Sequence, residues 1–469
     1  MTHDDTTTDD AAATGAQYAA DELDTTHVTE VDGGTVALAF SGGLDTTVCV
    51  PLLEDLYGYD EVVGVTVDVG QPDAEFVEAE ETAAALDLEH YVVDATEEFA
   101  DLCFDSVTAN ATYQGYPLGT ALARPVIAEA IADVAADVGA DAVAHGCTGK
   151  GNDQLRFEAV WRDTDMAVVA PVRELGLTRE FEQAYAAKLD LPVEGGNEGD
   201  WSVDTNLWSR SVEGKDLEDP AFVPGEEIYD WTTEPGQVTD STLVQVGFAD
   251  GQPTGVSVLE GPESVTETAA GAVTDAADVD EAKTAVGAGE PVAVIEFLNA
   301  LAGAYGVGRT DMMEDRMLGL KVRENYEHPA ATVLHAAHEA LEGLVLTKDE
   351  RDFKATVDDE WSQKAYEGLV HSPLSQALGG FLDVVSEKTE GTATVKLAAG
   401  QARVVGRDSE HAVYSESAAS FDTSTVDGIE QADATGVAKY HGFQDRLANS
   451  ATSETEDEES TETTLTADD

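Results

Sequence analysis

The chain has 469 residues, enough for two or three domains with substantial cores, and 42% of them are hydrophobic, which excludes a wholly disordered protein. Asp and Glu outnumber Lys and Arg by 95 to 24, a formal net charge of −71 that excludes a surface built for nucleic acid or anionic membranes. The three cysteines, Cys49, Cys103 and Cys147, form neither a disulfide framework nor a paired metal motif, so a reduced compartment is expected.

In chain order, residues 1–33 are rich in Thr, Asp and Ala without sustained periodicity and read as a disordered acidic arm. From Thr35 short β-branched runs alternate with Ala/Glu-rich stretches. Strands are predicted over Thr35–Phe40, Glu61–Val67, His90–Val93, Asp141–His145 and Ala167–Pro171, with helices over Pro72–Leu88 and Arg124–Val138. Such alternation predicts an α/β fold with a doubly wound, mostly parallel sheet over 34–195. The Gly-rich segment Glu194–Asp200 marks a boundary, and 196–449 reads as an α+β domain. Its predicted helices are Pro291–Ala304, His328–Glu342 and Asp359–Leu369, and Thr392–Leu397 with Gln401–Gly406 read as a hairpin. Ser264–Gly287 reads as a surface insertion and residues 450–469 as a disordered acidic tail. Residues 1–34 carry nine acidic side chains and 450–469 carry eight, so −54 remains on residues 35–449. An acidic body of this kind suggests adaptation to a cytosol of very high salt, where charge repulsion reaches only about 3 Å at 1 M. The N-terminus lacks the basic and apolar regions of a signal peptide, and no apolar run approaches the roughly 20 residues of a membrane span. A soluble, cytoplasmic protein is expected.

Two motifs carry chemistry. Ala39-Phe-Ser-Gly-Gly-Leu-Asp-Thr-Thr47 follows a predicted strand and opens a helix. Gly42 and Gly43 let the backbone turn and present bare N–H groups, while Ser41, Thr46 and Thr47 add hydroxyls at a helix start that favours anions. No Gly-Lys-Ser/Thr follows, so this is not a Walker loop; it resembles the Ser-Gly-Gly-x-Asp loop of enzymes that split ATP between the α and β phosphates. No Lys or Arg occurs in residues 1–123, so charge neutralisation must come from Mg²⁺ and from cations elsewhere. The second motif, His145-Gly-Cys-Thr-Gly-Lys-Gly-Asn-Asp-Gln-Leu-Arg-Phe157, also follows a strand, which places both loops at the carboxyl edge of the sheet. In it Lys150 offers a point charge for phosphate and Arg156 a planar fork for carboxylate.

The second motif is similar to that of argininosuccinate synthases. Further stretches match in order: Tyr116–Pro125, Ser202–Leu207, Ser211–Gly214, Leu217–Pro220, Gly306–Asp311, Glu314–Arg316 and Lys321–Arg323. The resemblance covers roughly residues 35–448. It implies a pyrophosphate-loop (N-type ATP pyrophosphatase) nucleotide-binding domain and a synthetase and multimerisation domain. The implied activity is a ligase that joins citrulline to aspartate through citrullyl-AMP and releases AMP and pyrophosphate. Ala39, Phe40, Ser41, Gly42, Gly43, Leu44, Asp45, Thr46, Thr47, Val67 and Gly146 would then contact ATP. Thr148, Asn152 and Asp153 would hold aspartate. Tyr116, Asn152, Arg156, Ser202, Ser211, Glu314 and Tyr326 would hold citrulline. Asp45 would organise Mg²⁺-pyrophosphate, Lys150 would face phosphate, and no side-chain metal site is expected. A homotetramer that exchanges the C-terminal helix near Gln431–Leu447 is also implied.

Some positions depart from the family pattern. Ala121 stands where a Ser contributes to citrulline binding, Cys147 replaces an Ala, and Val322, Glu324 and Asn325 replace a Ser, a Gly and an Ile. Cys147 reads as an inert thiol, His335 and His338 lack a zinc-ligand arrangement, and Trp201, Trp208, Trp231 and Trp361 read as core or interface. Two other users of the same loop are alternatives. A tRNA thiolase would want paired cysteines and a basic face, and an amidotransferase a glutaminase module; an inactive, ligand-binding relative is a third.

Overall fold

Val36 and Leu38 face one way along strand β1 (Thr35–Ala39) and Ala37 the other, and all three are fully buried. A strand covered on both faces belongs at the centre of a parallel sheet. The computed structural model, which describes residues 18–19, 22–193, 201–423 and 425–462, places it there. β2 (Glu61–Asp68) and β3 (Glu89–Asp94) lie on one side of β1. After a short hairpin of β4 (Thr112–Tyr113) and β5 (Tyr116–Pro117), strands β6 (Ala142–Ala144) and β7 (Ala167–Val169) lie on the other. The order is β3-β2-β1-β6-β7 and every pairing is parallel. Helices Thr96–Thr108 and Thr120–Val138 pack on one face, and Leu44–Leu52 and Arg179–Leu189 on the other. The sheet is therefore doubly wound.

This order makes β1/β6 the switch point, where the chain stops adding strands on one side and starts on the other. The segments after β1 and after β6, which hold the two motifs, open side by side at that crevice, the usual ligand site of open α/β sheets. Gly42 adopts φ +75°, and a Cβ there would lie 2.7 Å from the backbone of Ala79; only glycine lets the loop settle on the helix Asp73–Ala85. Pro51 removes a backbone donor inside the helix Leu44–Leu52, and the chain answers with a π-helical turn over Leu53–Tyr57.

The second half is antiparallel. β8 (Ser202–Thr205) and β9 (Arg210–Glu213) join β12 (Arg309–Asp315) and β13 (Lys321–Glu327) in a sheet of order β12-β13-β9-β8; β10 (Thr242–Ala249) and β11 (Gln252–Glu260) join β14 (Gly391–Ala398) and β15 (Gln401–Asp408) in another of order β11-β10-β14-β15. In β10 Val244, Val246 and Phe248 alternate inward, as a half-covered strand requires. The predicted helix Pro291–Ala304 forms with those bounds, His328–Glu342 becomes Pro329–Val345, and Asp359–Leu369 is the second half of Lys348–Tyr366.

Ser264–Gly287 is not a surface insertion. It forms the helices Glu263–Ala270 and Val279–Ala288, and Ala269, Ala270, Val273, Ala282 and Val286 are buried in the main core. Small side chains allow that close packing: Gly255 comes so near Gly287 that a Cβ on it would lie 2.6 Å from the Gly287 carbonyl oxygen. No single helix among the described residues is long and apolar enough to cross a membrane.

Of the predicted N-terminal arm, Tyr18 stacks on Phe181 and Tyr185 and Ala19 is buried, while 1–17 and 20–21 lie outside the described residues. Residues 1–412 form one compact unit and 413–469 another. The second contains a two-stranded ribbon, the helix Ala434–Tyr440 and the helix Phe443–Glu462, which takes in the first part of the predicted tail; 463–469 lie outside the described residues.

Candidate active site

The loop after β1 is braced by its own hydroxyls. Thr46 Oγ1 lies 3.2 Å from Ser41 Oγ and donates to the Gly43 carbonyl at 3.2 Å, and Thr47 donates to the Gly42 carbonyl at 3.1 Å. Gly43 caps the helix Leu44–Leu52 without a side-chain bond, so the first N–H groups of the helix keep no side-chain cap and suit an anion. Gly146, after β6, sits against Asp45 and Thr46, so the two motif loops touch.

These loops form one wall of a cleft of about 780 Å³. Of the residues expected to contact ATP, Ala39, Phe40, Ser41, Gly43, Leu44, Asp45, Thr46, Val67 and Gly146 line it; Gly42 and Thr47 lie behind them. All residues expected for the two amino acids line the same cleft: Thr148, Asn152, Asp153, Tyr116, Arg156, Ser202, Ser211, Glu314 and Tyr326. Lys150 is exposed on its loop and is not part of the lining. The cation at the nucleotide end is Arg179, first residue of the helix Arg179–Leu189, with Nη1 3.4 Å from Asp45 Oδ1. One turn on, Glu182 is buried, and burial together with the Asp45 charge pushes its carboxyl up to about 7. Burial also raises Asp45, against the pull of Arg179.

Farther along the cleft, Asp153 is forked between two guanidiniums, Arg124 Nε at 2.9 Å and Arg156 Nη1 at 2.8 Å. Burial alone would raise its pKa, but the two cations outweigh burial and hold it at about 2. Arg124 also reaches Asp204 at 2.8 Å, and Thr120 donates to the same oxygen at 2.9 Å. The sheet containing β12 and β13 supplies the opposite wall. There Glu314 is buried, and Tyr116 and Tyr326 both donate to its Oε2 at 2.7 Å while Tyr366 donates to Oε1 at 2.6 Å. Three phenol donors give this carboxylate the hydrogen bonds a buried charge needs. Tyr116 and Tyr326 stack on each other at 4.4 Å. At the rim Arg316 bridges Glu213 (2.6 Å) and Glu324 (2.8 Å). Burial and the Glu213 charge push Glu324 up to about 9, even with Arg316 opposing.

Ala121 lines the cleft with no hydroxyl to offer. Cys147 lines it too, and burial, then Asp153, pushes its thiol up to about 12, so it stays protonated and unreactive. His338 is buried and His335 half-buried, both away from the lining. Among the described residues no group of three His, Cys, Asp or Glu side chains is placed to hold a metal ion. Sequence reasoning missed Arg179, Glu182 and Tyr366. Arg124 lay inside a matched stretch, but its forked pairing gave no local signal.

An open parallel sheet with a glycine- and hydroxyl-rich loop at its switch point, facing a chamber of paired carboxylates and guanidiniums, defines a nucleotide-dependent α/β enzyme that handles zwitterionic substrates. The chain belongs to the argininosuccinate synthase family: residues 35–192 match the model "Arginosuccinate synthase N-terminal HUP domain" and residues 201–448 the model "Arginosuccinate synthase C-terminal domain". It is 65% identical over 420 residues to the argininosuccinate synthase of Natronomonas pharaonis, covering 89% of this chain and 97% of that protein. It is 66% identical over 418 residues to that of Halobacterium salinarum, covering 89% and 98%. With that of Haloarcula marismortui it shares 65% identity over 417 residues, covering 89% and 92%.

Proposed function

We propose that this cleft joins citrulline to aspartate with ATP as the energy source, releasing AMP and pyrophosphate. The observation that carries the reading is the single cleft that has the Ser41–Asp45 loop at one end and the Arg156–Asp153 and Glu314 groups at the other. The ureido oxygen of citrulline attacks the α-phosphorus and pyrophosphate leaves, giving citrullyl-AMP. The aspartate amine then attacks the ureido carbon, AMP leaves and the amine gives up a proton. No side-chain nucleophile is needed; positioning and charge placement do most of the work.

In this reading the loop Ala39–Thr47, with Val67 and Gly146, cradles ATP, and Arg179 rather than Lys150 faces the polyphosphate. Mg²⁺ would supply further neutralisation, and Asp45, a carboxylate in the loop, would be the residue to hold it. Glu314 receives the ammonium of citrulline beside Tyr116 and Tyr326, Arg156 its carboxylate, and Ser202 and Ser211 flank it. Thr148, Asn152 and Asp153 receive aspartate, Asp153 by holding the two guanidiniums in place. Residues 34–195 then serve as the ATP-binding part and 196–449 as the synthetase and assembly part.

A homotetramer fits the second unit, in which Tyr414, Phe421, Ile429, Val437, Tyr440 and Leu447 are exposed; so many exposed large apolar side chains suit burial against other subunits. The acidic body fits a cytoplasm of high salt. Pyrophosphate release in molar KCl tests the reaction. It should require citrulline and aspartate together and leave AMP as the nucleotide, whereas stoichiometric ADP, or release without either amino acid, overturns the reading.

A further inference from the structure

Tyr366, the last residue of the helix Lys348–Tyr366, is fully buried and touches three of the groups assigned above to the amino acids. Its hydroxyl lies 2.6 Å from Glu314 Oε1 and 2.8 Å from Asn152 Nδ2, with the Asp315 carbonyl at 3.2 Å. Its own carbonyl accepts from Arg156 Nε at 3.0 Å, and its ring lies 5.1 Å from the Arg156 guanidinium carbon. On its other side the ring stacks on Tyr113 at 3.6 Å. Two residues on, Gly368 adopts φ +76°, and a Cβ there would come within 2.8 Å of the Arg156 backbone. The end of this helix is thus pressed against the turn that carries Asn152 and Arg156.

The chemistry of these groups fixes who donates. Glu314 as a carboxylate only accepts, so the one phenol proton goes to it in preference to the longer contact with the Asp315 carbonyl. The phenol oxygen is left as acceptor, and Asn152 must turn its NH₂ toward it. The Asn152 carbonyl then points the other way, where it accepts from the Met317 N–H at 3.1 Å. One hydroxyl thereby sets both the Glu314 carboxylate and the Asn152 amide.

We propose that Tyr366 is a positioning residue that couples the citrulline and aspartate subsites, holding Glu314 for one and Asn152 for both. The proposal rests on the residue roles given under the proposed function. Tyr326 is the natural contrast: it donates to Glu314 Oε2 and makes no bond to Asn152.

The test is steady-state kinetics in molar KCl on wild type, Tyr366→Phe and Tyr326→Phe, with each of the three substrates varied. Phenylalanine keeps the ring, its stack on Tyr113 and the backbone carbonyl, and loses only the hydroxyl. Tyr366→Phe should raise KM for citrulline and for aspartate about five- to thirtyfold each, with KM for ATP within about twofold. Tyr326→Phe should move citrulline alone. In the pair Tyr366→Phe with Asn152→Ala, the aspartate KM should equal that of Asn152→Ala alone, because the hydroxyl acts through that amide. An unchanged aspartate KM in Tyr366→Phe, equal rises for all three substrates, or loss of the folded state by circular dichroism would each overturn the proposal. If wild type releases pyrophosphate without needing both amino acids, the proposed function fails instead.

Discussion

Arg156 reaches the cleft with Nη1 committed to Asp153 and Nε to the Tyr366 carbonyl, which leaves Nη2 to face a ligand. The planar fork serves both purposes at once, and an ammonium cannot. Arg156→Lys should therefore raise KM for citrulline about ten- to hundredfold, the equivalent of about 1.5–3 kcal/mol for a charge-assisted contact, while KM for ATP stays near wild type. Unchanged citrulline kinetics would make Arg156 structural. At the nucleotide end, Glu182 is pushed up to about 7 by burial and by Asp45. Below that pH the two carboxyls share a proton; above it both are charged beside a loop assigned to a polyphosphate, with Arg179 to offset them. KM for ATP should rise as pH rises through 7, and Glu182→Gln should flatten that rise in kinetics run at saturating citrulline and aspartate. What could be read from sequence at this scale was local chemistry. Gly42, Gly43 and their hydroxyl neighbours lie in one short stretch, so the loop announced itself. Tyr366 meets Asn152 across 214 residues of chain, a contact that a motif of neighbours does not encode.

The helix Pro329–Val345 was predicted as an element, but its cargo was not. His338 is fully enclosed, His335 is half-buried with both ring nitrogens shielded from solvent, and buried His328 stands just before the helix. Burial depresses all three, to about 3 for His328 and His335 and about 4 for His338. His338 takes Asn110 as a partner at 2.9 Å, and the same Asn110 binds Glu342 and Asp358, which pair with the buried Lys354. A histidine held neutral in the fold takes up a proton on unfolding once pH falls below about 6.5, so the unfolded chain binds more protons there and stability falls with pH. Carboxyls raised mainly by burial work in the opposite direction over this range: Asp358 at about 6, Glu75 and Glu182 at about 7, and Glu324 at about 9. From pH 6.5 toward 4.5 the urea midpoint of His335→Phe in molar KCl should rise relative to that of wild type, because the variant lacks one group that takes up a proton on unfolding; a gap between the two that does not change with pH would refute the role of His335. Elements with strong local signals are legible in the sequence, and those with shorter ones are less so. Pro291–Ala304 has Pro at its first turn and an apolar stripe. The β10–β11 hairpin was missed although Asp250-Gly251 is a turn pair, with φ of +50° and +79°. The start of Lys348–Tyr366 was missed although Thr347 and Glu350 form a capping box. Ser264–Gly287 misled because alanine-rich, acidic helices look like surface until their small residues find a partner face.

For the whole molecule the governing quantity is charge. Even if each of the 24 Lys and Arg neutralised one carboxylate, the formal −71 would remain. The cations are concentrated where they hold structure. Arg124, Arg156, Arg210 and Arg316 bind carboxylates at the cleft or in the core, and Glu327 is buried with donors from Arg210, Asp230, Trp231 and Thr232. These carboxylates are paired, and most of the excess acid lies elsewhere. Surface charges repel over about 10 Å at 0.1 M salt but over only about 3 Å at 1 M, so dilute buffer turns this surface against the compact state. Residues 1–34 and 450–469 hold only 17 of the acidic groups, and −54 stays on residues 35–449. Trimming 1–17 and 463–469 should therefore shift the salt midpoint of folding only slightly. If subunits of equal sign assemble through the exposed apolar residues of the second unit, low salt should separate them before it unfolds them. Circular dichroism and light scattering across a KCl titration, on full-length and trimmed chains, measure both steps. The expected order is loss of mass, then loss of ellipticity, as KCl falls from molar to 0.1 M. A full-length protein that stays assembled, folded and active at 0.1 M KCl would show that its acidic body needs no salt.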